Sequence, residues 1–334
     1  MIWLKRSILP ISYEYVKMNL EKYKYKKIVE SIPLFSEDRY WGKAPKEELE
    51  KAIQYIEEKG WDEFKTHYPN KFDLTFEENR ADWRFVVPLS KDFSVLDLGA
   101  GMGRISIPLA RVARKVVALD QSFLRMKFLK LRAEKEGLKN VEVFVGDIFD
   151  AQFPKESFDL IVMNGLLEWI GVTDRFSNPR KAQLESLRIA KGLLKKGGCL
   201  YIGIENRFAL SYFRGRDHSG LYFTSYMPRF LANVYSKLRT GKRYDTYTYT
   251  RSGYEKLIQE SGFDDISFYL PHPGYNLPRI MIPYGNLNAL AYLINSLMPA
   301  ASVKRKLARI LAHSKIILRL YRYFFFSFGI VARK

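Results

Sequence analysis

The sequence predicts an α/β fold, a mostly parallel sheet with helices on both faces, and three observations predict it. Short apolar runs alternate with helical stretches from Ser94 onwards. A glycine turn, Gly99, Gly101 and Gly103, follows the first run, and the second run ends on an acid, Asp120. The intervening helical stretches are long enough to return the chain to the same side of a sheet, as parallel neighbours require.

The elements follow in order. "SVLDLG" is an apolar strand and "GRISIPLARVAR" is helical. "KVVALD" is the second strand, and "SFLRMKFLKLRAEKEG" is a helix opened by Ser122 and closed by Gly137. "VEVFVGD" and "FDLIVMNG" are strands, "RKAQLESLRIAKGLLKKGG" is a helix, and "CLYIGIEN" is the fifth strand. An insertion over 205–249 comes next, then the helix "TRSGYEKLIQESG", capped by Thr250 or Ser252 and stopped by Gly262. "DDISFYLP" reads as a strand and "FSFGIVARK" as the last one, with a basic helical excursion between them. Residues before 90 are irregular and polar apart from one helix, "PKEELEKAIQYIEEKG", with Pro45 near its start and Gly60 at its end. The domain boundaries expected are an N-terminal helical cap over 1–81, a core over 82–270, a basic helical insertion over 271–322 and a final core strand over 323–334.

Composition narrows the partners. The chain has 334 residues, 47% hydrophobic and 27% charged, which suits a globular protein. Its net charge of +19 points to an anionic partner: RNA, a membrane surface or a phosphorylated substrate. After Asp265 there is no acid, while ten Lys and Arg follow, so about half of the excess lies at the C-terminal end. The one cysteine, Cys199, excludes an internal disulfide and a cysteine-based zinc site, and no metal-ligating set stands out. The N-terminal "MIWLKRSILPISYEYVKM" does not read as a signal peptide, because charges interrupt its short apolar runs. "LNALAYLINSLMPAA" is shorter than a bilayer span. The expectation is a cytoplasmic protein, with contact at the inner membrane face left open.

The turn reads D-x-G-x-G-x-G from Asp97. A nicotinamide fingerprint needs a glycine three residues after its second one, and Arg104 or Ser106 stands there instead, depending on the frame. Asp120 lies about 20 residues beyond the turn, where a carboxylate can accept both hydroxyls of a ribose.

On "VLDLGAGMG", "VVALDQS", "VEVFVGDIFD", "FDLIVMNGLLEWIG" and "LLKKGGCLYI", the sequence resembles the class I S-adenosylmethionine-dependent methyltransferases over about residues 82–270. The resemblance implies a Rossmann-like sheet of seven strands, the last antiparallel, with S-adenosylmethionine as cofactor. It implies that Gly99, Ala100, Gly101 and Gly103 let the backbone approach the amino-acid part, and that Asp97 orients its ammonium group. Asp120, with Gln121 beside it, would take the ribose. Asp147 would accept the adenine amino group, with Ile148 against the ring. Asn164 and Gly165 would line the methionine side. The chemistry is consistent: the cofactor carries an ammonium and a sulfonium and no phosphate, so acceptors at the strand ends are what it needs.

Methyl transfer to a hydroxyl also needs a base. In "IENRFALSYFRGRDHSG" the candidates are His218 and Glu205, and Glu168, one turn after Asn164, is a third. His218 can equally be a surface histidine, and Glu168 a helix-start charge. "ENRADWRFVVPLS", the "IENR" to "DHSG" insertion, "YTRSGYEKLIQESGF" and "YLPHPGYNLPRIMIP" look like methyltransferases found with surface-polysaccharide assembly, which implies a glycan or lipid-linked glycan hydroxyl as acceptor. In "PHPGYNLPR", His272, Tyr275 and Arg279 are possible substrate contacts, or the prolines and glycine simply shape a loop.

"VKRKLARILAHSKIILRLYR" has apolar residues at helical spacing with basic residues filling the rest, a pattern open to packing on the protein or resting on an anionic membrane. RNA is the rival partner, although no "NPPY"-like tetrapeptide follows the fourth strand, where "MNGL" stands. A non-catalytic cofactor-binding subunit of a glycan-assembly complex is the third reading.

Overall fold

The computed structural model describes residues 23–40, 45–68, 72–170, 176, 178–213, 215, 217, 220–244, 247–297 and 313–334. The strands are β1 (Lys27–Val29), β2 (Ile32–Leu34), β3 (Ser94–Leu98), β4 (Lys115–Asp120), β5 (Val141–Val145), β6 (Phe158–Asn164), β7 (Leu194–Glu205), β8 (Asp265–Gly274), β9 (Leu277–Pro283) and β10 (Ser327–Arg333). They form one sheet in the order β1-β2-β5-β4-β3-β6-β7-β10-β8-β9.

From β2 to β7 every pairing is parallel. These strands are covered on both faces, so they read as continuous apolar runs rather than alternating ones. All five residues of β3 are buried. The chain runs outward from β3 to β4 and β5 on one side and resumes on the other side with β6 and β7. That reversal opens a crevice at the carboxyl ends of β3 and β6, where open α/β sheets hold their ligands.

The helices are α1 (Lys46–Lys59), α2 (Trp61–His67), α3 (Asp73–Phe76), α4 (Ser106–Ala110), α5 (Phe123–Lys135), α6 (Pro179–Leu193), α7 (Arg229–Thr240), α8 (Arg251–Glu260), α9 (Leu287–Tyr292) and α10 (Lys315–Tyr323). Their starts follow local chemistry. The Ser122 hydroxyl accepts from Arg125 N at the head of α5, Asn178 accepts from Arg180 N before α6, and Thr250, not Ser252, caps α8 through Gly253 N. Leu49, Ala52, Ile53 and Ile56 make the buried stripe of α1, which joins Phe64, Phe72 and Phe128 of α5 in one aromatic cluster.

The sheet differs from expectation in having ten strands rather than seven. The seven expected lie contiguously from β5 to β8, with β10 antiparallel to both β7 and β8. The additions are at the two edges. The segment before 90 is not purely helical, because "KIVESIPL" folds into the β1–β2 hairpin and Leu34 pairs with Val145. "PHPGYNLPR", expected as a possible loop, instead carries the ladder from β8 into the edge strand β9, with His272 opposite Ile280. An edge strand has one side without sheet partners, so prolines are tolerated there. Of the basic stretch expected as one helix over 303–322, residues 303–312 lie outside the described residues, and α10 is the described part.

Candidate active site

A cavity of about 480 Å³ opens at the carboxyl ends of the parallel strands. Gly99, Asp120, Gln121, Asp147, Ile148 and Gly165 line it, and all six are residues singled out from the sequence. Leu98, Leu119 and Phe149 add apolar walls. Two acids and a set of flat apolar surfaces suit a ligand with a ribose and an aromatic base.

Each acid is held for a reason. Asp120 ends β4, and its two oxygens accept from Gly101 N and Ser122 N, both at 3.0 Å. Burial pushes its carboxyl above the usual range, against the opposing pull of Arg125 and of those two amides. Asp147 accepts from Phe149 N at 3.1 Å through one oxygen and from Gln121 Nε2 at 2.7 Å through the other. Each carboxylate oxygen has a second lone pair, so both acids retain acceptor capacity toward the cavity they line. Gln121 therefore braces Asp147 as well as lining the cavity.

The glycine turn lies beneath. Gly99, Gly101 and Gly103 all have positive φ, at 70°, 55° and 88°. A Cβ on Gly103 would overlap the side chain of Leu129, so this turn is also how β3 packs against α5. Ala100 is buried in the turn. Asp97 does not line the cavity. It is buried, accepts from Ser106 Oγ at 2.6 Å, and is pushed up to about 7 by that burial.

A second polar group adjoins Gly165. Asn164 is buried at the end of β6, its carbonyl accepts from Arg80 Nη2 at 3.1 Å, and its side-chain oxygen lies against the Gly203 backbone. A Cβ at Gly165 would approach the Arg80 guanidinium and the Tyr275 ring to about 3 Å. Tyr275 donates to Glu205 Oε1 at 2.6 Å, and Tyr254 donates to the Glu205 carbonyl at 3.1 Å. Glu168 is fully buried and interacts electrostatically with Glu205. Burial first and the Glu205 charge second push Glu168 well above the usual carboxyl range, with Arg80 opposing.

The structure thus brings Glu168 and Glu205 together, next to Asn164 and Gly165. Glu168 lies on the short 3₁₀ turn Leu167–Trp169 and is buried, while Trp169 and Ile170 stand in the cavity wall. His218 lies outside the described residues. Its neighbour Asp217 is turned into the insertion, accepting from Thr224 Oγ1 at 2.6 Å and Ser225 Oγ at 2.7 Å. Of the "PHPGYNLPR" candidates, Tyr275 reaches the site, while Arg279 is exposed.

Sequence reasoning missed Arg39, Tyr40, Arg125, Leu166 and Trp169 in the cavity wall, and Arg80 beside it. Arg39 and Tyr40 arrive because Phe35 N bonds Val145 O at 2.8 Å and Arg39 N bonds Gln121 O at 2.9 Å, laying this segment along the strand ends. No local pattern announces such a contact. Trp169 was legible in principle, as an aromatic directly after the fourth strand of the predicted core.

Residues 89–234 match the family described as "Methyltransferase domain". A probable ribosomal RNA small subunit methyltransferase A of Methanosphaera stadtmanae is 37% identical over 71 residues, 21% of this chain and 26% of its own length. A ubiquinone biosynthesis O-methyltransferase of Pelagibacter ubique is 28% identical over 176 residues, 50% of this chain and 68% of its own. Among solved structures, the phosphoethanolamine N-methyltransferase 1 of Haemonchus contortus, in complex with phosphoethanolamine and S-adenosylhomocysteine, has a TM-score of 0.46 at 16% identity, covering 86% of this chain and 48% of its own. The chain spans about a quarter of the length of the first of these relatives. Residues 89–234 are accordingly the part of this chain that is similar to a methyltransferase domain.

Proposed function

We propose that the whole protein is an S-adenosylmethionine-dependent O-methyltransferase acting on a sugar hydroxyl of a glycan or lipid-linked glycan. The observation that carries a hydroxyl acceptor is the buried Glu168–Glu205 pair beside Asn164 and Gly165. Support for a glycan is more distant: Arg80, Glu205 and Tyr275, all from segments that resemble polysaccharide-associated methyltransferases, meet at this one place.

The residues present fit the cofactor. Asp120 would hold the ribose hydroxyls, Asp147 the adenine amino group, and Ile148 and Phe149 the ring. Asp97, behind the turn, would supply the negative charge an ammonium group needs, and that cation would draw its carboxyl, raised by burial, back toward the ionised form. The cofactor supplies an electrophilic methyl group on a sulfonium.

The chain's own acids handle the acceptor's proton. Transfer of a methyl group to a hydroxyl would release the hydroxyl proton, which a residue of this chain must take up. Burial and the neighbouring charge favour the protonated form of Glu168, which leaves Glu205 as the proton acceptor. Tyr275 fixes the orientation of Glu205 through its hydrogen bond. His218 is the third group proposed here, as a base working with Glu205.

Transfer of radiolabelled methyl groups to glycan fractions and to total RNA tests the reading. Label in glycan is expected. Label in RNA would replace it with the RNA reading that the net charge of +19 favours. Cofactor uptake with no transfer to either would make the protein a non-catalytic subunit. Glu205→Gln should lower turnover by roughly a hundredfold or more with cofactor affinity unchanged. Full turnover in His218→Ala would remove that residue from the mechanism.

A further inference from the structure

Helix α7 is inside out. Its buried face is made of Ala232 and Ser236, flanked by half-buried Arg229 and Asn233. Its apolar side chains point the other way: Phe230 is 67% exposed, Leu238 80%, and Leu231 and Val234 are exposed between them. The spacing i, i+1, i+4, i+8 places these four on a single stripe about a quarter-turn wide. A helix folded for its own domain's core would bury that stripe.

The inversion is fixed, not a fraying end. Arg207 donates from Nε to Ser225 O at 2.8 Å and from Nη2 to Met227 O at 2.7 Å, holding the turn ahead of α7. Arg229 donates to Thr248 O at 2.9 Å, and its guanidinium stacks 4.1 Å from the Tyr247 ring centroid. Tyr247 N in turn bonds Glu168 O at 3.2 Å, so the outer helix is braced to the backbone of the acid pair.

The charges on this helix choose the partner. Residues 229–244 hold five basic residues and no acid. Lys237 and Arg239 are exposed on either side of the stripe, and Lys242 and Arg243 are exposed just past its end. A long apolar stripe between basic flanks is the pattern of a helix lying in an anionic lipid interface. A second copy of the chain is disfavoured, because an isologous contact would oppose like charges across the seam. RNA would use the charges and leave Phe230 and Leu238 in water. A second outward stripe, Ile316, Leu320 and Tyr323 with Arg319, lies on α10. Ring contacts connect Tyr323 to Phe208 and Phe208 to Tyr226, three residues before α7 begins.

We propose that α7 is a membrane-docking element that seats Phe230, Leu231, Val234 and Leu238 in an anionic lipid surface, with α10 as a secondary contact. This proposal does not depend on which acceptor is methylated.

Co-sedimentation of the full chain with phosphatidylglycerol–phosphatidylcholine vesicles tests it. Binding is expected, weakened at high salt and absent on phosphatidylcholine alone. The double variant Phe230→Asp/Leu238→Asp should lose at least tenfold in partitioning with its circular dichroism unchanged. Ile316→Asp/Leu320→Asp should lose less. Phe230→Trp gives an independent readout, an emission that shifts to the blue on adding anionic vesicles. No vesicle binding, or binding equal in the α7 double variant, overturns the proposal. So does a dimer in light scattering that Phe230→Asp abolishes, or RNA retention that depends on Lys237 and Arg239 but not on Phe230. Methyl transfer to a detergent-free soluble acceptor should survive in the α7 variant, so failure here and failure of the proposed reaction are told apart.

Discussion

Asp97, Asp120 and Asp147 are three acids at the ends or middles of neighbouring strands, yet they occupy three environments. Asp147 is half-buried and braced by Gln121. Asp120 is buried but accepts two backbone amides. Asp97 is buried with one hydroxyl donor, Ser106. The pKa of Asp97, pushed up to about 7, makes a stability prediction for the cofactor-free protein. Between about pH 4 and pH 7 the folded state keeps a proton that the unfolded chain releases. Stability should therefore fall as pH rises through that window, by ~4 kcal/mol, and level off above it. Urea unfolding at about pH 5 and about pH 8 measures this, and Asp97→Asn should abolish most of the difference. Asp120→Ala should weaken S-adenosylhomocysteine binding by roughly tenfold to a hundredfold, read by calorimetry, since charge-assisted hydrogen bonds are worth ~1.5–3 kcal/mol. At this scale the sequence was informative where one residue's chemistry suffices. The acids and glycines are legible because a strand-end position fixes where they point. Glu168 stands on a 3₁₀ turn, not an α-helix, after β6, and is buried beside Glu205.

At the scale of elements, the 3₁₀ segment Glu78–Val86 shows how a weakly patterned stretch can be decisive. It delivers Arg80 to Asn164 because Trp83 is fully buried and stacked on Tyr201 of β7, with ring centroids 3.8 Å apart. Trp83→Ala should cost ~3–5 kcal/mol in thermal or urea unfolding. Gly103→Val tests the turn in the same way. Its φ of 88° and the overlap with Leu129 should destabilise the fold by several kcal/mol and widen the separation of β3 from α5. The predicted core helices start where a side chain caps the first turn, as Ser122, Asn178 and Thr250 do, but the helix expected through Gly198 ends at Leu193, and Leu194–Gly198 extend β7 instead. "GRISIPLARVAR" gave a shorter helix, Ser106–Ala110, since Pro108 lacks the amide that would continue the ladder backwards.

For the whole molecule, the sheet's assembly depends on the end of the chain. β10 lies between β7 and β8 and pairs with both. Deleting residues 327–334 should leave two separated sheet edges, seen as loss of cooperative unfolding by circular dichroism and as aggregation in gel filtration. Among the described residues no helix is long and apolar enough to cross a membrane. The outward stripes of α7 and α10 instead give the described residues amphipathic surface.

The sequence by itself determined the parallel core, its glycine turn and its acid-tipped strands, because each follows from period, local turn chemistry and side-chain type within a few residues. The tertiary structure alone decided the edges and the second half of the site: β2 beside β5, β9 beside β8, Arg80 and Tyr275 beside Gly165, and the apolar face of α7 turned to solvent. Those features join residues tens to hundreds of positions apart, and their free energy comes from contacts that exist only once the sheet has closed around them.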